Sequence, residues 1–399
     1  MENKIIYLDN NATTRVDDKV LEAMLPYFCE QYGNPSSMYT FAQNPAHAIK
    51  EARGKLKDFF NANNEKEILF TSCGSESANT AIKGVLNMNK NKRHIITTKV
   101  EHPCVLNVYK SLEKQGYKVD YINVNSNGEL DLEQLKEAVN DDTALVSVMY
   151  ANNETGVIFP IEKIVDIVKS KNSETKIYVD AVQAAGKINI DVQELGVDML
   201  GVSGHKFHAP KGVGVLYVNS KTVITPLIIG GHQERGLRAG TENVPYIVGI
   251  GKAAELAADN LKYEATEIKR LRDKLEAGIL KRVFNARLNT GVSNRVPNTT
   301  NIGFEYIEGE LILLHLGDYG ICASSGSACT SGSLEPSHVL RAMNVPFTSI
   351  HGSIRMSLSK YTTEDEIDYV IEKFPPIIDK LTRISPYQDE LDALKKIKV

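Results

Sequence analysis

The chain has 399 residues, with 46 Lys and Arg against 50 Asp and Glu, so its formal net charge is −4. This balance provides no basic field for a nucleic acid, and no apolar stretch approaches the ~20 residues of a membrane-spanning helix. The five cysteines form no CxxC motif, and the N-terminus lacks a basic region followed by a long apolar run. We therefore expect no disulfides and no signal peptide, and a cytoplasmic location.

Apolar runs alternate with polar turns and helical patterns through most of the chain. Strands are predicted at 5–9, 67–71, 94–98, 144–150, 177–179, 199–202 and 211–218, and helices at 17–29, 46–61, 161–171 and 248–284, the last with a kink. This alternation predicts an α/β fold with a mainly parallel sheet covered on both faces. A smaller α+β region follows, with strands near 300–304 and 352–358. We expect a large domain over 16–260 and a small domain formed by 1–15 and 261–399, with a loosely held tail from 384.

Lys206 directly follows one of the predicted strands, 199–202. Parallel sheets of this kind bind their ligands at the carboxyl ends of the strands. A lysine there can have its pKa lowered by desolvation or by nearby cations, which leaves a free amine able to form a Schiff base. Taken alone, Lys206 is more simply explained as a surface residue in a turn.

Further polar groups follow other predicted strands, and together they suit pyridoxal phosphate. Asp180 could pair with the pyridine nitrogen or cap a helix. Ser72–Ser75 lies between a strand and a helix, where free backbone N–H groups and the helix dipole favour a phosphate. His102 could stack on the ring, and Gln183 and Asn153 could contact the ring hydroxyl, although each could equally be a turn residue. These residues alone do not identify the reaction.

The stretch 323–336 is rich in Ser and Gly and contains Cys329. A thiol on such a loop is accessible to water, which favours a reactive thiolate that can attack and then move away. Cys322 follows a short apolar run and is interpreted as structural, although Cys322 and Cys329 together could hold a metal. The other thiols are interpreted as packing or turn residues: Cys29 in a helix core, and Cys73 and Cys104 beside the cofactor site.

The chain resembles the cysteine desulfurases, a group within the class V branch of the fold-type I pyridoxal-phosphate-dependent transferases, and is most similar to their NifS-type members. The resemblance covers nearly the whole chain. It rests on the motifs Tyr7–Thr14, Thr71–Ser77, Glu101–Pro103, Asn152–Gly156, Ser203–Lys206, Arg238–Thr241 and Ser324–Cys329. Cys322 departs from the family pattern, which has a small or apolar residue there, and its role stays open.

The resemblance implies a role for each matching residue. Lys206 would hold pyridoxal 5'-phosphate as a Schiff base and shuttle protons, His102 would stack on the ring and assist proton transfer, and Cys329 would receive sulfur as a persulfide. Arg355 would bind the substrate carboxylate, helped by Asn34. The implied cofactor contacts are Gly74, Ser75, Asn153, Asp180, Gln183, Ser203, His205 and Thr241, of which Thr241 would reach the partner subunit's cofactor.

The resemblance also implies an activity and partners. The enzyme would convert L-cysteine to L-alanine, act as a homodimer with shared active sites, and supply sulfur to an iron–sulfur scaffold protein of the NifU or IscU type. Cys329 could also become a transient cluster ligand shared with that scaffold. Alternatives left open are a selenocysteine lyase, an aminotransferase, a metal-binding scaffold without a cofactor and a non-catalytic homologue. The sequence does not say whether sulfur goes to nitrogenase maturation, to housekeeping clusters or to thiolation.

Overall fold

The computed structural model describes residues 5–291, 294–325 and 335–397. The strands are β1 (Ile6–Tyr7), β2 (Ile68–Thr71), β3 (His94–Thr98), β4 (Lys118–Ile122), β5 (Thr143–Met149), β6 (Lys176–Asp180), β7 (Met199–Ser203), β8 (Gly214–Val218), β9 (Ala286–Leu288), β10 (Thr299–Phe304), β11 (Ile321–Cys322), β12 (Ser324–Ser325) and β13 (Ser353–Ser357). The α-helices are α1 (Asp18–Met24), α2 (Pro26–Cys29), α3 (Gln43–Phe59), α4 (Gly74–Met88), α5 (Pro103–Glu113), α6 (Leu132–Ala138), α7 (Ile161–Lys171), α8 (Val192–Leu195), α9 (Val244–Tyr263), α10 (Lys269–Arg282), α11 (Gly309–Asp318), α12 (His338–Ala342), α13 (Phe347–Ile350), α14 (Glu364–Ile384) and α15 (Gln388–Ile397).

The largest sheet of the described residues has the strand order β2-β8-β7-β6-β5-β3-β4. Its strands run parallel except β8, which is antiparallel to both of its neighbours. Successive side chains of the central strands point to opposite faces, and both faces are buried. Ile177 and Val179 pack toward α3, α7 and α9, whereas Tyr178 packs toward α4 and α5. The predicted α/β class and mainly parallel sheet are therefore confirmed.

A second apolar core lies between α10, α11, α14 and a four-stranded antiparallel sheet of order β12-β13-β10-β9. Ile6 and Leu8 from the start of the chain belong to this core, because β1 pairs in parallel with β11. Val296, Leu340 and Met343, however, pack with the core of the large sheet. The domain bounds at 16–260 and at 1–15 with 261–399 stay a prediction.

The helix predicted over 248–284 is present with one irregularity. A π-helical turn at Glu264–Ile268 joins α9 to α10. Such turns insert one residue into the helical ladder and shift the phase of the side chains that follow. As a result, α9 packs against the large sheet, whereas α10 packs into the second core.

Two local expectations from the sequence are wrong. Cys29 is exposed rather than in a core, because α1 ends at Met24 and the four-residue α2 buries none of its side chains. The tail is not loosely held either, since α14 continues to Ile384 and α15 buries Leu391 to 1% exposure. None of the helices in the described ranges has the length and hydropathy to cross a membrane.

Candidate functional site

A cavity of about 360 Å³ lies at the carboxyl ends of the parallel strands. Its wall contains ten of the residues predicted to form the site: Gly74, Ser75, His102, Asn153, Asp180, Gln183, Ser203, His205, Lys206 and Arg355. Strand ends converge there because parallel neighbours finish at the same edge of a sheet. The fold therefore brings together residues that are up to 281 positions apart in the sequence.

Lys206 lies in a short 3₁₀ turn, Gly204–Lys206, that directly follows β7. Its Nζ donates to the backbone carbonyl of Asn11 over 2.6 Å and to that of Ala12 over 2.8 Å. These two carbonyls come from the segment after β1, which crosses over the end of the large sheet. The lysine is half-buried at the cavity wall, which gives a tethered amine next to the enclosed space.

Asp180 ends β6 and is buried beside the cavity. Its Oδ1 accepts from the backbone N–H of Val182 over 3.0 Å, and its Oδ2 accepts from the Cys104 thiol over 3.8 Å. Burial raises the pKa of Asp180, while His102 and Lys206 partly oppose this shift. A buried carboxylate of this kind favours a cationic partner in the cavity.

His102 both caps a helix and faces the cavity. Its Nδ1 accepts from the backbone N–H of Cys104 over 3.2 Å at the start of α5. Burial lowers the pKa of His102, so the ring is neutral at neutral pH. Since Nδ1 is an acceptor, the proton of the neutral ring lies on Nε2. One side chain can therefore cap α5 and still present its ring to the cavity.

Gly74 is the first residue of α4, where the early N–H groups have no partner within the helix. A Cβ at Gly74 would lie 2.9 Å from Cγ2 of Val182, so this position requires glycine. Ser75 and Ser203 stand beside it on the cavity wall. Burial, with the nearby charges of Lys206 and Lys211, lowers the pKa of His205 to about 4, so this ring is a neutral hydrogen-bonding group. The helix start is a suitable place for a phosphate.

Arg355 lies in β13, and only 8% of its side chain is exposed. Its Nη2 donates to Asp9 Oδ1 over 2.7 Å and its Nη1 to the carbonyl of Asn153 over 3.1 Å. Its Nε is buried and has no hydrogen-bond partner among the described residues. Buried donors of this kind are normally satisfied, so the guanidinium is suited to an anionic ligand such as a carboxylate.

Residues 6–370 match the aminotransferase class-V family. The chain belongs to this family. It is 58% identical over 392 residues to cysteine desulfurase 2 of Trichormus variabilis, with 98% of each chain covered. It is 54% identical over 382 residues to the cysteine desulfurase NifS of Azotobacter vinelandii, covering 96% of this chain and 94% of that one. A solved NifS-like protein superimposes with a TM-score of 0.90 at 44% identity, covering 95% of this chain and all of that chain.

Class-V aminotransferases and NifS proteins depend on pyridoxal phosphate, and this cavity fits that cofactor. Lys206 Nζ would hold its aldehyde carbon, Asp180 would pair with its ring nitrogen and Gln183 would face its ring hydroxyl. The N–H groups at the start of α4, where Gly74 lines the cavity, would hold its phosphate. The amine of Lys206 and the buried carboxylate of Asp180 line the same cavity, and their roles toward the cofactor stay predictions.

Two predicted site residues, Thr241 and Asn34, are described but do not line the cavity. Thr241 and Asn34 are exposed, and the side chain of Asn34 accepts from the backbone N–H of Ser36 over 3.0 Å. Cys329 lies outside the described residues. Among those that are described, no group of three or more His, Cys, Asp or Glu side chains could hold a metal ion. The roles of Thr241, Asn34 and Cys329, including the cluster-ligand role of Cys329, stay predictions.

No role was predicted for Asn11, which the structure places on the cavity wall. It is 1% exposed, and its carbonyl accepts from both Lys206 Nζ and Gln183 Nε2, the latter over 3.0 Å. Its own amide donates to Thr299 Oγ1 over 2.8 Å and to the carbonyl of Asn153 over 3.2 Å. The available signal was its place directly after the first predicted strand. Asp9, which holds Arg355, is the last residue of that predicted strand.

Proposed function

We infer that this protein is a pyridoxal-phosphate-dependent cysteine desulfurase, which converts L-cysteine to L-alanine and transfers the sulfur to Cys329. The observation that carries this proposal is the meeting of Lys206, Asp180 and Arg355 in one cavity, which Ser324 also lines. Relatives 58% and 54% identical over nearly the whole chain bear the name cysteine desulfurase, and a solved relative 35% identical, with a TM-score of 0.78 and 90% of this chain covered, is described as bound to cysteine.

The two ends of the Cys329 segment are held by residues of the site. Before it, Ser324 lines the cavity and its Oγ donates to Asp9 Oδ1 over 2.9 Å. After it, Ser337 Oγ donates to the buried Glu154 Oε2 over 2.6 Å. Four residues of extended chain span at most about 14 Å, which is the upper limit on the distance from Ser325 to Cys329.

Different residues of the cavity wall have different roles in the reaction of the substrate. Bound pyridoxal phosphate supplies an electron sink that makes the substrate's α-C–H bond acidic. Arg355 orients the substrate by its carboxylate, with a donor at Nε that is otherwise unsatisfied. Lys206 Nζ accepts the α-proton, and Asp180 stabilises positive charge at the ring nitrogen. His102 holds its proton on Nε2, where it can be given up to the substrate.

The sulfur step exchanges one bond for another. The Cys329 thiolate attacks the substrate sulfur, so an S–S bond forms while the substrate's Sγ–Cβ bond breaks. The electron pair of the broken bond remains with the carbon fragment, which is protonated and leaves as alanine. Cys329 is left as a persulfide. L-Cysteine and one thiol are therefore converted to L-alanine and one persulfide, with all atoms balanced. No external oxidant or reductant is needed until the persulfide is discharged.

The finer points of the assembly are proposals as well. The active unit is a homodimer. Thr241 is exposed and does not line the cavity of its own chain, so it is accessible to the cofactor site of a second copy. Large apolar side chains are also exposed, including Met38 and Ile229 at 100% and 84%. In the cytoplasm, the acceptor of the Cys329 persulfide would be an iron–sulfur scaffold protein of the NifU or IscU type.

The test is to supply purified protein with L-cysteine and a thiol reductant and to measure alanine and sulfide together. We expect equal amounts of both products from the wild type. The variant Cys329→Ala should keep the visible absorbance of the bound cofactor but release no sulfide, and Lys206→Ala should lose that absorbance. Cys322→Ala is the matched control and should retain activity.

Four results would overturn the proposal. Sulfide release by Cys329→Ala at the wild-type rate would exclude the persulfide step. A colourless wild-type protein that cannot be reconstituted with pyridoxal phosphate would instead favour a metal-binding scaffold. Formation of a keto acid in place of alanine would indicate an aminotransferase, and activity only with selenocysteine would indicate a selenocysteine lyase.

A further inference from the structure

Lys187 is a buried lysine that lies just behind the cavity wall. It is 6% exposed and follows Gln183 by one helical turn in the segment after β6. Its Nζ donates to Gln183 Oε1 over 2.5 Å and to Asn11 Oδ1 over 2.9 Å. The chemistry proposed above gives it no role. Because burial of an amine is costly, it is normally offset by hydrogen bonds. For Lys187, these are the hydrogen bonds to Gln183 and Asn11.

The contact with Lys187 supports one orientation of the Gln183 amide. A lysine side chain offers N–H donors, so the atom of Gln183 that meets it must be the carbonyl oxygen. The NH₂ group is thereby turned to the opposite side, where it donates to the Asn11 carbonyl over 3.0 Å. An amide NH₂ has two hydrogens, and Gln183 lines the cavity. The second hydrogen is therefore available to a group inside the cavity.

The same lysine orients Asn11. Its Oδ1 is held by Lys187 Nζ, and by Asn298 Nδ2 over 3.2 Å, so its NH₂ group must face Thr299 and Asn153. These side-chain contacts hold Asn11 in place, and the backbone carbonyl of Asn11 accepts from Lys206 Nζ. Lys187 thus holds the oxygen atoms of two amides whose NH₂ groups are held by the backbone carbonyls of Asn11 and Asn153.

These contacts do not depend on the charge of Lys187. Burial, with the nearby cations Lys206 and Arg355, lowers the pKa of Lys187 to about 7, and the carboxylate of Glu264 opposes this shift. A neutral amine still has two N–H bonds, which is the number that Gln183 and Asn11 require. The orientation of both amides is therefore the same on either side of this pKa.

We propose that Lys187 is a positioning residue for the reaction, which turns the NH₂ group of Gln183 toward the ring oxygen of the cofactor and fixes Asn11 beneath Lys206. This inference rests on the proposed cofactor site but not on the identity of the substrate. A donor to the ring oxygen withdraws electron density from the conjugated ring. Its loss makes the bound cofactor more basic, which is visible in the absorbance of the holoenzyme without any turnover.

The experiment compares Lys187→Met with the wild-type holoenzyme. We expect the pH midpoint of the cofactor's visible absorbance to move upward in Lys187→Met, and kcat/KM for L-cysteine to fall by about tenfold, the effect of one net hydrogen bond. Lys187→Arg, which keeps two donors, should restore the midpoint. In a double-mutant cycle, Lys187→Met should add little to the midpoint shift of Gln183→Ala, because the first residue acts through the second.

Lys360→Met is the matched control. Both lysines line a second, smaller polar cavity of about 30 Å³ behind Lys206, but Lys360 pairs with Asp17 rather than with Gln183. It should leave the midpoint at the wild-type value. An unchanged midpoint in Lys187→Met, an equal shift in Lys360→Met, or additive shifts in the double mutant would each overturn the proposal. If Lys187→Met does not fold, Lys187→Gln supplies the same comparison with one donor group retained.

The outcomes separate this proposal from the proposed function. If the wild-type protein binds the cofactor but forms no alanine from cysteine, the desulfurase assignment fails. The midpoint comparison remains valid in that case, because it uses no substrate. If the midpoint is insensitive to Lys187 while alanine and sulfide form normally, only the positioning role fails.

Discussion

Asp9 accepts a hydrogen bond of 2.7 Å at Oδ1 from Nη2 of Arg355, although the two residues are 346 positions apart. The carbonyl of Asn153 holds the second terminal nitrogen of the guanidinium. This leaves Arg355 Nε as the buried donor without a partner among the described residues. The guanidinium is thus anchored on one side and unsatisfied on another, an arrangement suited to receiving a carboxylate.

Replacing Arg355 by lysine should weaken substrate binding more than the chemical step. A lysine keeps the positive charge but cannot bridge Asp9, Asn153 and a carboxylate in one plane. We expect KM for L-cysteine to rise by roughly 10- to 100-fold, the cost of a hydrogen bond to a charged group, with a smaller change in kcat. Initial rates of alanine formation over a range of cysteine concentrations measure both. Arg341→Lys, on the exposed face of α12, is the control, and an unchanged KM in Arg355→Lys would remove Arg355 from substrate binding.

Much of this site could be predicted because its residues follow regular elements. A parallel sheet brings the positions at the ends of its strands together. Such positions are occupied by Lys206, Asp180 and His102, each at or shortly after the end of an apolar strand. The alternation of strands and helices was enough to predict that sheet. The same pattern could not place Asp9, because its strand pairs with β11 in another sheet.

The supporting residues could not be predicted because they act across the fold. Asn11 and Lys187 are 176 positions apart, and their contact depends on how the segment after β1 crosses the end of the large sheet. No local periodicity encodes such a crossing. Thr241 and Asn34 differ in the opposite sense. The resemblance implied a site role for each of them, but neither residue lines the cavity of its own chain.

Glu101 should make the stability of the protein depend on pH near neutrality. Its side chain is buried, Oε1 accepts from Thr98 Oγ1 and from the backbone N–H of Met149, and Oε2 has no partner among the described residues. Burial raises the pKa of Glu101 to about 8. The unfolded chain releases this proton near its ordinary pKa of 4.5. The contribution of Glu101 to folding stability is therefore fully present below pH 4.5 and is lost as the pH rises toward 8. The loss is up to about 1.4 kcal/mol per pH unit.

The variant Glu101→Gln removes this dependence, because an amide does not titrate and can still accept at Oε1. From pH 5 to pH 8, its free energy of unfolding should therefore become larger relative to that of the wild type, so the variant gains in relative stability. Urea unfolding at several pH values measures the difference. Glu133→Gln, on the exposed face of α6, is the control and should run parallel to the wild type. Parallel curves for Glu101→Gln would mean that Glu101 is ionised in the folded protein.

Gly74→Ala should weaken retention of the cofactor. The added Cβ would lie 2.9 Å from Cγ2 of Val182 and 3.6 Å from Cβ of Ser203, so the start of α4 must move away from the cavity. We expect the dissociation constant of pyridoxal phosphate to rise by about tenfold, the cost of roughly one misplaced hydrogen bond to the phosphate. Titration of the apoprotein with the cofactor gives this constant. Gly317→Ala, where a Cβ would meet nothing within 4 Å, is the control. Wild-type retention in Gly74→Ala would place the phosphate elsewhere.

Ser337→Ala should slow sulfur transfer without impairing cofactor binding. Ser337 caps α12 by accepting from the N–H groups of Val339 and Leu340, and it donates to Glu154 Oε2 over 2.6 Å. Its loss removes a helix cap worth about 1 kcal/mol and leaves a buried carboxyl without its hydroxyl partner, directly after the segment that carries Cys329.

The expected result is a fall of several-fold in the rate at which Cys329 acquires a persulfide, with the visible absorbance of the cofactor unchanged. Single-turnover reaction with L-cysteine, followed by alkylation and mass measurement of the protein, reports persulfide directly. Asp191→Ala removes the cap of α8, which is not on the cavity wall, and controls for the loss of a helix cap. If both variants slow the reaction equally, the effect comes from general destabilisation. If Ser337→Ala reacts at the wild-type rate, then the anchor at Glu154 does not position the Cys329 segment.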